Sequence, residues 1–297
     1  MSTDLLGRAD QLRTGRTPFV LATVVRAERP TSAKPGDRAL VLPDGTLEGF
    51  VGGSCAESTV RLQSLRLLET GESTLLRITP LADVEPAPTA EGTVTVANPC
   101  LSGGTLDIFL EAMLPPVLVF VYGFGPIARA LVELGGALGY ETRLADPAQA
   151  MPGDLAAVVV ASHGRDEEGV LTAAVRAGVP YVGLVASRRR GSAVLAELDL
   201  PDGAVHTPAG LDIAGRTASE VALSIYAELV AERPRHVPAP TPVADASTGE
   251  PAIAEALDPV CGMTVAVTAA KLSAEVDGRR SYFCGPGCRQ AFLDRTG

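Results

Sequence analysis

Val117-Leu-Val-Phe-Val-Tyr122 is an unbroken apolar run that leads directly into Gly123-Phe-Gly-Pro-Ile-Ala128. A run of this kind predicts a strand that is buried on both faces of a parallel sheet. A helical pattern follows to about Ala137, and residues 140–145 predict a second strand that ends at Asp146. The order of strand, glycine turn, helix, strand and acid predicts a Rossmann-like α/β domain.

The same stretch also predicts a ligand site. Gly123 and Gly125 would let the backbone approach a phosphate, and the helix N-terminus beyond them favours an anion. In nucleotide-binding domains of this kind, an acid ~20 residues after the first glycine accepts ribose hydroxyl protons. Asp146 lies close to that position. A domain whose glycines serve only packing is the other interpretation, so a bound nucleotide is one of two hypotheses.

The totals limit the classes of protein that fit. A chain of 297 residues is long enough for two or three domains, and its net charge of −10 argues against nucleic acid or an anionic membrane as partner. We see no apolar run long enough for a membrane span, and the N-terminus shows no signal-peptide pattern. Five cysteines, an odd number, favour thiol or metal chemistry in a reducing cytosol over a disulfide framework. We therefore expect a cytoplasmic protein.

Residues 1–113 predict a mostly β, α+β domain with two cysteines in glycine-rich turns. In Gly52-Gly53-Ser54-Cys55-Ala56-Glu57, Ser54 and Glu57 form the pattern of a capping box and predict a helix that runs to about residue 69. Cys55 would then be its first residue, where the helix dipole and free amides lower a thiol pKa. A small buried cysteine beside a glycine turn is the equally simple alternative.

The second cysteine of this domain is Cys100, in Asn98-Pro-Cys-Leu-Ser-Gly-Gly104. Residues 93–97 and 105–110 predict two strands that pair around this turn. A cysteine in a tight Gly/Pro turn is usually exposed enough to react or ligate, so Cys100 is a candidate for either role, the alternative being a loop cysteine without a role. Glycine-rich turns also present bare amides that bind anions.

Residues 114–232 predict the Rossmann-like domain. Residues 155–162 and 179–185 are further buried strands, followed by His163 and by Ser187, Arg188 and Arg189. Ligands of open parallel sheets bind beyond the carboxyl ends of the strands, and arginines there suit a phosphate. The alternatives are a solvated helix start for the arginines and a loop hydrogen bond for His163.

The C-terminal region divides into a linker and a small module. Residues 233–257 are rich in Pro, Ala, Thr and Ser, which predicts a disordered linker. Residues 258–297 are too few to fold without a metal or disulfides, and they supply Cys261, Cys284 and Cys288. Three thiolates suit Zn²⁺ or Cu(I), with Asp, Glu, water or an exogenous group as a fourth ligand. Three reduced structural cysteines are the alternative.

Several motifs resemble known families. Gly49-Phe-Val-Gly-Gly-Ser-Cys-Ala-Glu57 and Asn98-Pro-Cys100 resemble the N-terminal domain of the XdhC/CoxI family, over about residues 16–112. Ala161-Ser-His-Gly-Arg-Asp-Glu-Glu168 and Tyr181-Val-Gly-Leu-Val-Ala-Ser-Arg-Arg-Arg190 resemble its Rossmann-like domain, over about residues 115–232. Asp258-Pro-Val-Cys-Gly-Met263 and Tyr282-Phe-Cys-Gly-Pro-Gly-Cys288 resemble the YHS/TRASH-type metal-binding module.

The resemblance implies a maturation factor for molybdenum hydroxylases such as xanthine or CO dehydrogenase. Such a factor binds the molybdenum cofactor, a molybdopterin, assists its sulfuration with a cysteine desulfurase, and inserts it into the apoenzyme. A homodimer is implied as well. The expected cofactor-binding residues are Gly52, Gly53, Cys55, Glu57, Cys100, Gly123, Gly125, Asp146, His163, Ser187, Arg188 and Arg189.

Two other functions also fit the sequence. An NAD(P)-dependent oxidoreductase would use the glycine turn and Asp146, with His163 as its proton-transferring residue, but it would leave Cys55 and Cys100 unexplained. A metal-trafficking or metal-responsive protein would act through the three tail cysteines. We expect a cofactor-binding chaperone rather than a turnover enzyme.

Overall fold

A computed structural model of the chain describes residues 4–80, 92–98, 104–232, 253–268 and 272–296. The described residues fall into two compact units. Unit 1 takes its residues from Met1–Pro115 and Val237–Gly297, and unit 2 takes its residues from Pro116–His236. The C-terminal residues therefore fold together with the N-terminal ones. The predicted turn around Cys100 and residues 233–252 of the predicted linker lie outside the described residues.

The N-terminal part of unit 1 combines two helices with one six-stranded sheet, as predicted for an α+β domain. Its elements in chain order are α1 (Leu5–Thr14), β1 (Phe19–Ala27), β2 (Arg38–Val41), β3 (Leu47–Gly49), α2 (Ser54–Thr70), β4 (Thr74–Pro80), β5 (Thr93–Asn98) and β6 (Leu106–Met113).

The strand order in this sheet is β3-β2-β1-β6-β4-β5. β2 and β3 form an antiparallel hairpin around residues 43–46, with Val41 opposite Leu47. Our pairing of β5 with β6 was wrong, because β4 lies between them and pairs parallel with β5 and antiparallel with β6. Proximity in sequence favoured a hairpin there, whereas Arg77 of β4 binds Asp107 of β6 through two hydrogen bonds of 2.7 and 2.9 Å.

The N-terminus of α2 differs from the predicted capping box. Gly53, in an extended conformation, takes the N-cap position, and Ser54 is already the first helical residue. Cys55 is consequently the second residue of the helix rather than the first. The predicted C-terminus is confirmed, because Gly71 ends the helix in the left-handed conformation, with φ of 74°.

The described C-terminal residues, 253–268 and 272–296, are here called the tail. Its elements are β11 (Glu255–Leu257), β12 (Thr264–Ala266), β13 (Ser273–Val276), β14 (Arg279–Tyr282) and α7 (Pro286–Thr296). They form two antiparallel pairs, β11 with β12 and β13 with β14. β11 occupies the last residues that we assigned to a disordered linker, and its pairing with β12 supplies the backbone hydrogen bonds that order it.

Unit 2 has the predicted Rossmann-like α/β fold. Its elements are β7 (Leu118–Tyr122), α3 (Pro126–Ala137), β8 (Glu141–Leu144), β9 (Leu155–Val160), α4 (Glu167–Arg176), β10 (Tyr181–Leu184), α5 (Arg188–Ala196) and α6 (Ala218–Glu232). The four strands are parallel in the order β10-β9-β7-β8.

The central strands of unit 2 are buried on both faces, as the apolar runs predicted. All five residues of β7 are buried, and clusters of apolar side chains pack on each side of the sheet. None of the helices in the described part of the chain is both long and apolar enough to cross a bilayer.

Candidate functional site

A cavity of about 410 Å³ lies within unit 1, between the N-terminal part and the tail. We call it the thiol cavity, because three cysteines line it. Its walls come from the loop after β1, the start of α2, the ends of β4 and β5, the start of β6, and the tail. The residues used below are Gly53, Ser54, Cys55, Cys284, Gly285 and Cys288.

Cys55 reaches this cavity from the second position of α2, a helix of 17 residues. A thiol in the first turn of a helix faces the positive end of the dipole and amides without intrahelical partners, which favours the thiolate. Its side chain is half-buried and packs in the same apolar cluster as Met263 and Val265 of the tail. The N-terminal cysteine and the tail therefore share one environment.

The three predicted metal ligands come together in the tail. The Sγ atoms of Cys261 and Cys284 are 3.6 Å apart, and those of Cys284 and Cys288 are 3.5 Å apart. With a carboxylate oxygen of Asp258, the four potential ligand atoms lie within 4.8 Å of one another. We call these three cysteines the tail thiols. All four described cysteines of the chain, including Cys55, are reduced.

Asp258 is buried, and its carboxylate accepts hydrogen bonds from the segment around Cys261 and from Cys284. Its Oδ1 accepts hydrogen bonds from the backbone N–H of Val260 at 2.9 Å and of Cys261 at 3.4 Å. Its Oδ2 accepts one from the N–H of Cys284 at 2.7 Å. Burial alone would raise the pKa of Asp258, but these hydrogen bonds outweigh it and hold the pKa below the ordinary value.

The pKa values of two tail thiols, Cys284 and Cys288, are raised in this arrangement. The pKa of Cys284 is raised first by the hydrogen bond with the Cys55 thiol and then by burial. Burial is the main reason that the pKa of Cys288 rises to about 12. A bound cation would reverse this preference and deprotonate the ligating thiols.

The tail packs along α2. Leu62 and Leu65 of the helix are buried against Ala266, and Arg66 donates to Glu255 at 2.5 Å. Near the cysteines, the approach is closest at Gly285. A Cβ added there would lie 2.7 Å from the Cβ of Ser54, so only glycine fits without a shift.

The other predicted residues around Cys55 have different positions. Gly53 lines the thiol cavity, whereas Gly52, with φ of 132°, is buried where a side chain would meet Ala56 and Leu106. Burial lowers the pKa of Arg61, and the negative charge of Glu57 offsets part of this lowering. Glu57 is expected among the cofactor-binding residues, and that role stays a prediction. Cys100 lies outside the described residues.

A second cavity, of about 1020 Å³, lies within unit 2. We call it the polar cleft. It opens beyond the carboxyl ends of β9 and β10, where the parallel sheet predicted a ligand site. His163, Ser187 and Arg188, all predicted from the sequence, line it together with Arg190 and the loop of residues 207–215.

Glu167 organises the loop that carries His163. This buried carboxylate accepts hydrogen bonds from Ser162 Oγ at 3.1 Å and from the N–H of Gly164 at 2.7 Å, and it pairs with Arg190. His163 and Asp166 both have left-handed backbone conformations, with φ of 56° and 52°. Such conformations persist where the surroundings hold them, and they are often found at binding sites.

Glu228 fixes the opposite wall of the polar cleft. It accepts hydrogen bonds from Tyr181 Oη at 2.6 Å and from the N–H of Gly210 at 2.8 Å. The Tyr181 ring stacks on His206, with ring centroids 4.6 Å apart. Burial, and next the hydrogen bond to Glu228, raise the pKa of Tyr181 far above its ordinary value.

Sequence reasoning missed Glu167, Arg190 and Glu228. Glu167 and Arg190 stood inside quoted motifs, but an acid at a helix start is most often a solvated capping residue. Glu167 and Arg190 are 23 positions apart in the sequence, so only the structure, in which Glu167 is buried, reveals the pair.

The glycine turn serves packing as well as any ligand. A side chain at Gly123, whose φ is 130°, would overlap the backbone carbonyl of Ala161 on the neighbouring strand. Gly125 is the N-cap of α3, and a Cβ there would lie 3.2 Å from Nε2 of His163. The glycine turn therefore lies next to His163. Close packing against Ala161 is by itself a reason for glycine at position 123.

The described residues that line the polar cleft do not include four of the predicted ones, Gly123, Gly125, Asp146 and Arg189. Asp146 lies just after β8 and accepts a hydrogen bond from the N–H of Ala148 at 2.8 Å. Arg188 does line the cleft and lies 3.6 Å from Asp212, a pair in which both side chains are more than four-fifths exposed.

The four-stranded parallel sheet with its flanking helices defines a Rossmann-like α/β protein, and the comparisons narrow the class. Residues 119–229 match the family model described as the XdhC Rossmann domain. Residues 12–79, which include Cys55, match the model of the XdhC and CoxI family. Together the two segments cover more than half of the chain, which belongs to the XdhC/CoxI family. Both end before the tail, so its resemblance to a YHS/TRASH-type module stays a prediction.

Two relatives come from Escherichia coli (strain K12). One, described as the uncharacterized protein YqeB, is 24% identical over 260 residues, which is 76% of this chain and 46% of YqeB. The chain thus spans about half of the length of that relative. The other, described as the molybdenum cofactor insertion chaperone PaoD, is 24% identical over 264 residues, 72% of this chain and 83% of PaoD.

A solved structure is also similar. It is described as a xanthine dehydrogenase from Bacillus halodurans, with 16% identity and a TM-score of 0.38. The match covers 77% of this chain and 96% of that one.

Proposed function

We propose that this protein binds the molybdenum cofactor as its cargo, assists its sulfuration, and delivers it to a molybdenum hydroxylase of the xanthine or CO dehydrogenase type. Family membership supports this role, as does the similarity to PaoD, which is described as a molybdenum cofactor insertion chaperone. The partners that we propose are the hydroxylase apoenzyme and a cysteine desulfurase, in the cytoplasm. A homodimer also remains a proposal.

The observation that carries this proposal is the position of Cys55. Its thiol lines a cavity of about 410 Å³ from the first turn of a long helix. A thiolate is a soft ligand that suits a sulfur-rich metal centre, and the helix N-terminus stabilises its negative charge. We infer that Cys55 contacts the molybdenum of the cargo, and that Cys100 assists it.

The polar cleft of unit 2 suits an anionic, phosphate-bearing ligand. Arg188 and Arg190 line it, and Ser187 caps the helix that begins at Arg188 with a hydrogen bond from the N–H of Arg190. Cationic side chains beside a helix N-terminus are what a phosphate requires. Arg190 pairs with the buried Glu167, whereas the side chain of Arg188 is mostly exposed. Of these two arginines, Arg188 therefore has the charge that is more open to a ligand.

The test of cargo binding uses cofactor released from a known molybdenum enzyme. The full chain is mixed with it and gel-filtered, and molybdenum and oxidised pterin fluorescence are measured in the protein peak. We expect both to co-elute with the wild-type chain, and to be largely lost in Cys55→Ser and Cys100→Ser. Equal molybdenum content in wild type and both variants would refute the proposed role of the thiols.

The matched control for Cys55→Ser is Ser64→Ala, which changes a buried serine of the same helix away from the cavity lining, without removing a thiol or a hydrogen bond among the described residues. It should retain the cofactor. For the polar cleft, Arg188→Ala combined with Arg189→Ala should weaken binding of inorganic pyrophosphate, and the loss should shrink as salt is raised, because salt screens exposed charges. A loss that does not depend on salt would indicate damaged packing instead.

The tail thiols favour a second candidate function, metal trafficking or metal response. The two functions predict different results for Cys261→Ser in the full chain, since Cys261 is a tail thiol that is not among the described residues lining the thiol cavity. Cargo binding through Cys55 predicts that this variant still retains molybdenum and pterin. Metal trafficking predicts that Zn²⁺ or Cu(I) binding, and with it the function, is lost.

A further inference from the structure

The tail thiols have the spacing of a tetrahedral metal site that lacks one ligand. Zn²⁺ binds thiolates at ~2.3 Å in a tetrahedron, which places the sulfurs ~3.8 Å apart. The two measured distances, 3.6 and 3.5 Å, are close to this value. Structural zinc sites are closed by four protein ligands, so the tail by itself is one thiolate short of a site with four sulfurs.

Asp258 is poorly suited to be the fourth ligand. Both of its oxygens already accept backbone hydrogen bonds, including those from the N–H groups of two tail thiols, Cys261 and Cys284. These bonds fix the loops that carry the sulfurs. A carboxylate that orients the first-shell ligands through hydrogen bonds is a recurrent feature of metal sites.

Cys55 is a residue of α2 whose sulfur lies beside the tail thiols. Its thiol hydrogen-bonds with that of Cys284, and it packs in one cluster with all three tail thiols. It also lines the same cavity as Cys284 and Cys288. The fourth sulfur thus comes from a helix of the N-terminal part, more than 200 residues away in the sequence.

We propose that Cys55 is the fourth thiolate of a Zn²⁺ site whose other ligands are the tail thiols. On binding, the ligating thiols release their protons to solvent, and four Zn–S bonds join the tail to α2. A consequence, which rests on the proposed function, is that Zn²⁺ and the molybdenum cofactor compete for the same sulfur. Zinc in the tail would then withhold Cys55 from the cargo.

The ligand set is tested with Co²⁺ as a probe for tetrahedral thiolate sites, on the full chain after metal removal. The intensity of the sulfur-to-cobalt charge-transfer band rises with the number of thiolates. In Cys55→Ser we expect this intensity to fall by about a quarter, because three of four sulfurs remain. Zn²⁺ affinity should fall by more than about 10-fold, the lower limit for losing even an outer-shell partner.

Ser64→Ala, on the same helix but not among the described residues lining the cavity, is the control and should match the wild-type band and affinity. Circular dichroism of each variant establishes that it is folded. An unchanged charge-transfer band in a folded Cys55→Ser variant would overturn the proposal, since the site would then be complete without this sulfur.

A second experiment needs no change to any ligand. The rate at which iodoacetamide alkylates Cys55 is followed by peptide mass spectrometry, with and without Zn²⁺. We expect Zn²⁺ to protect Cys55 in the wild-type chain, because a metal-bound thiolate is a poor nucleophile. Equal rates with and without Zn²⁺ would overturn the proposal.

Two glycines of the tail supply a matched pair for this experiment. Gly285→Ala would bring a Cβ within 2.7 Å of Ser54 and push the tail thiols away from Cys55. Gly287→Ala meets no described atom within 4 Å. Protection by Zn²⁺ should weaken in Gly285→Ala and persist in Gly287→Ala, and Gly285→Ala with Ser54→Gly should restore it. Equal protection in both single variants would contradict the docking that the proposal requires.

The competition is tested by loading the chain with Zn²⁺ before the cofactor is added. Molybdenum retention should fall in the loaded wild type and recover in Gly285→Ala. Retention that is equal with and without Zn²⁺ would overturn the competition. If neither state retains molybdenum, the proposed function fails, while the Co²⁺ and alkylation results still decide the zinc site.

Discussion

Replacing Glu167 by Gln tests whether this residue holds the His163 loop in place. The carboxylate is 1% exposed and accepts hydrogen bonds from Ser162 and from the N–H of Gly164. Hydrogen bonds to a charged group contribute about 1.5–3 kcal/mol each, and a neutral amide of the same size retains part of that. Arg190 is 37% exposed and can turn to solvent, so its pairing adds only about 0–1 kcal/mol.

We therefore expect Glu167→Gln to destabilise unit 2 by about 2 kcal/mol. The control is Glu168→Gln, in the same first turn of α4 but exposed. Both variants lose the same favourable interaction with the helix dipole, so their difference isolates the buried contacts. Glu168→Gln should change stability by no more than about 0.5 kcal/mol.

The assay is hydrogen exchange of the peptide that contains Gly164, combined with urea unfolding followed by circular dichroism. A loss of about 2 kcal/mol corresponds to exchange of the Gly164 amide that is roughly 30-fold faster. Equal exchange rates in Glu167→Gln and Glu168→Gln would refute the reasoning, because the buried carboxylate would then contribute no more than a surface one.

Three further predictions concern unit 2. Gly123→Ala should lower its stability by about 2–4 kcal/mol in thermal unfolding, from overlap with the Ala161 carbonyl and a left-handed φ, whereas Gly136→Ala, in an exposed helical position, should be neutral or stabilising. Glu228→Gln should lower the pKa of Tyr181 relative to wild type, because a negative charge that opposes tyrosinate is removed; an unchanged ultraviolet titration would contradict this. Thr217→Ala should cost about 1 kcal/mol, because Thr217 Oγ1 accepts from the N–H of Glu220 in a reciprocal capping box, and Ser219→Ala should leave the urea midpoint unchanged.

Local patterns predicted the elements well and their partners less well. The run at β7, the glycine turn, α3 and β8 follow one another as predicted, because each depends on neighbouring residues alone. The pairing of β5 with β4 depends on contacts between distant segments, so proximity in sequence favoured the wrong partner. The same holds for the N-cap of α2, where the extended backbone of Gly53 outweighs the side-chain pattern of Ser54 and Glu57.

The candidate sites show the same contrast between features that depend on neighbouring residues and features that depend on contacts between distant segments. His163, Ser187 and Arg188 were predicted from their places after parallel strands, and they line one cleft. Nothing in the sequence indicates that Cys55 lies against Cys284, because the contact depends on how the tail packs along α2. Asp146, a well-spaced acid, is not among the described residues that line the cleft, and its contact with a ribose stays a prediction.

The most direct measurement of the central claim is molybdenum K-edge X-ray absorption of the full chain loaded with cofactor. We predict a sulfur in the first coordination shell beyond those of the cofactor itself, present in the wild type and in Ser64→Ala and absent from the molybdenum that Cys55→Ser retains. A first shell that is identical in all three proteins, at equal molybdenum loading, would contradict the claim that the Cys55 thiolate holds the cargo.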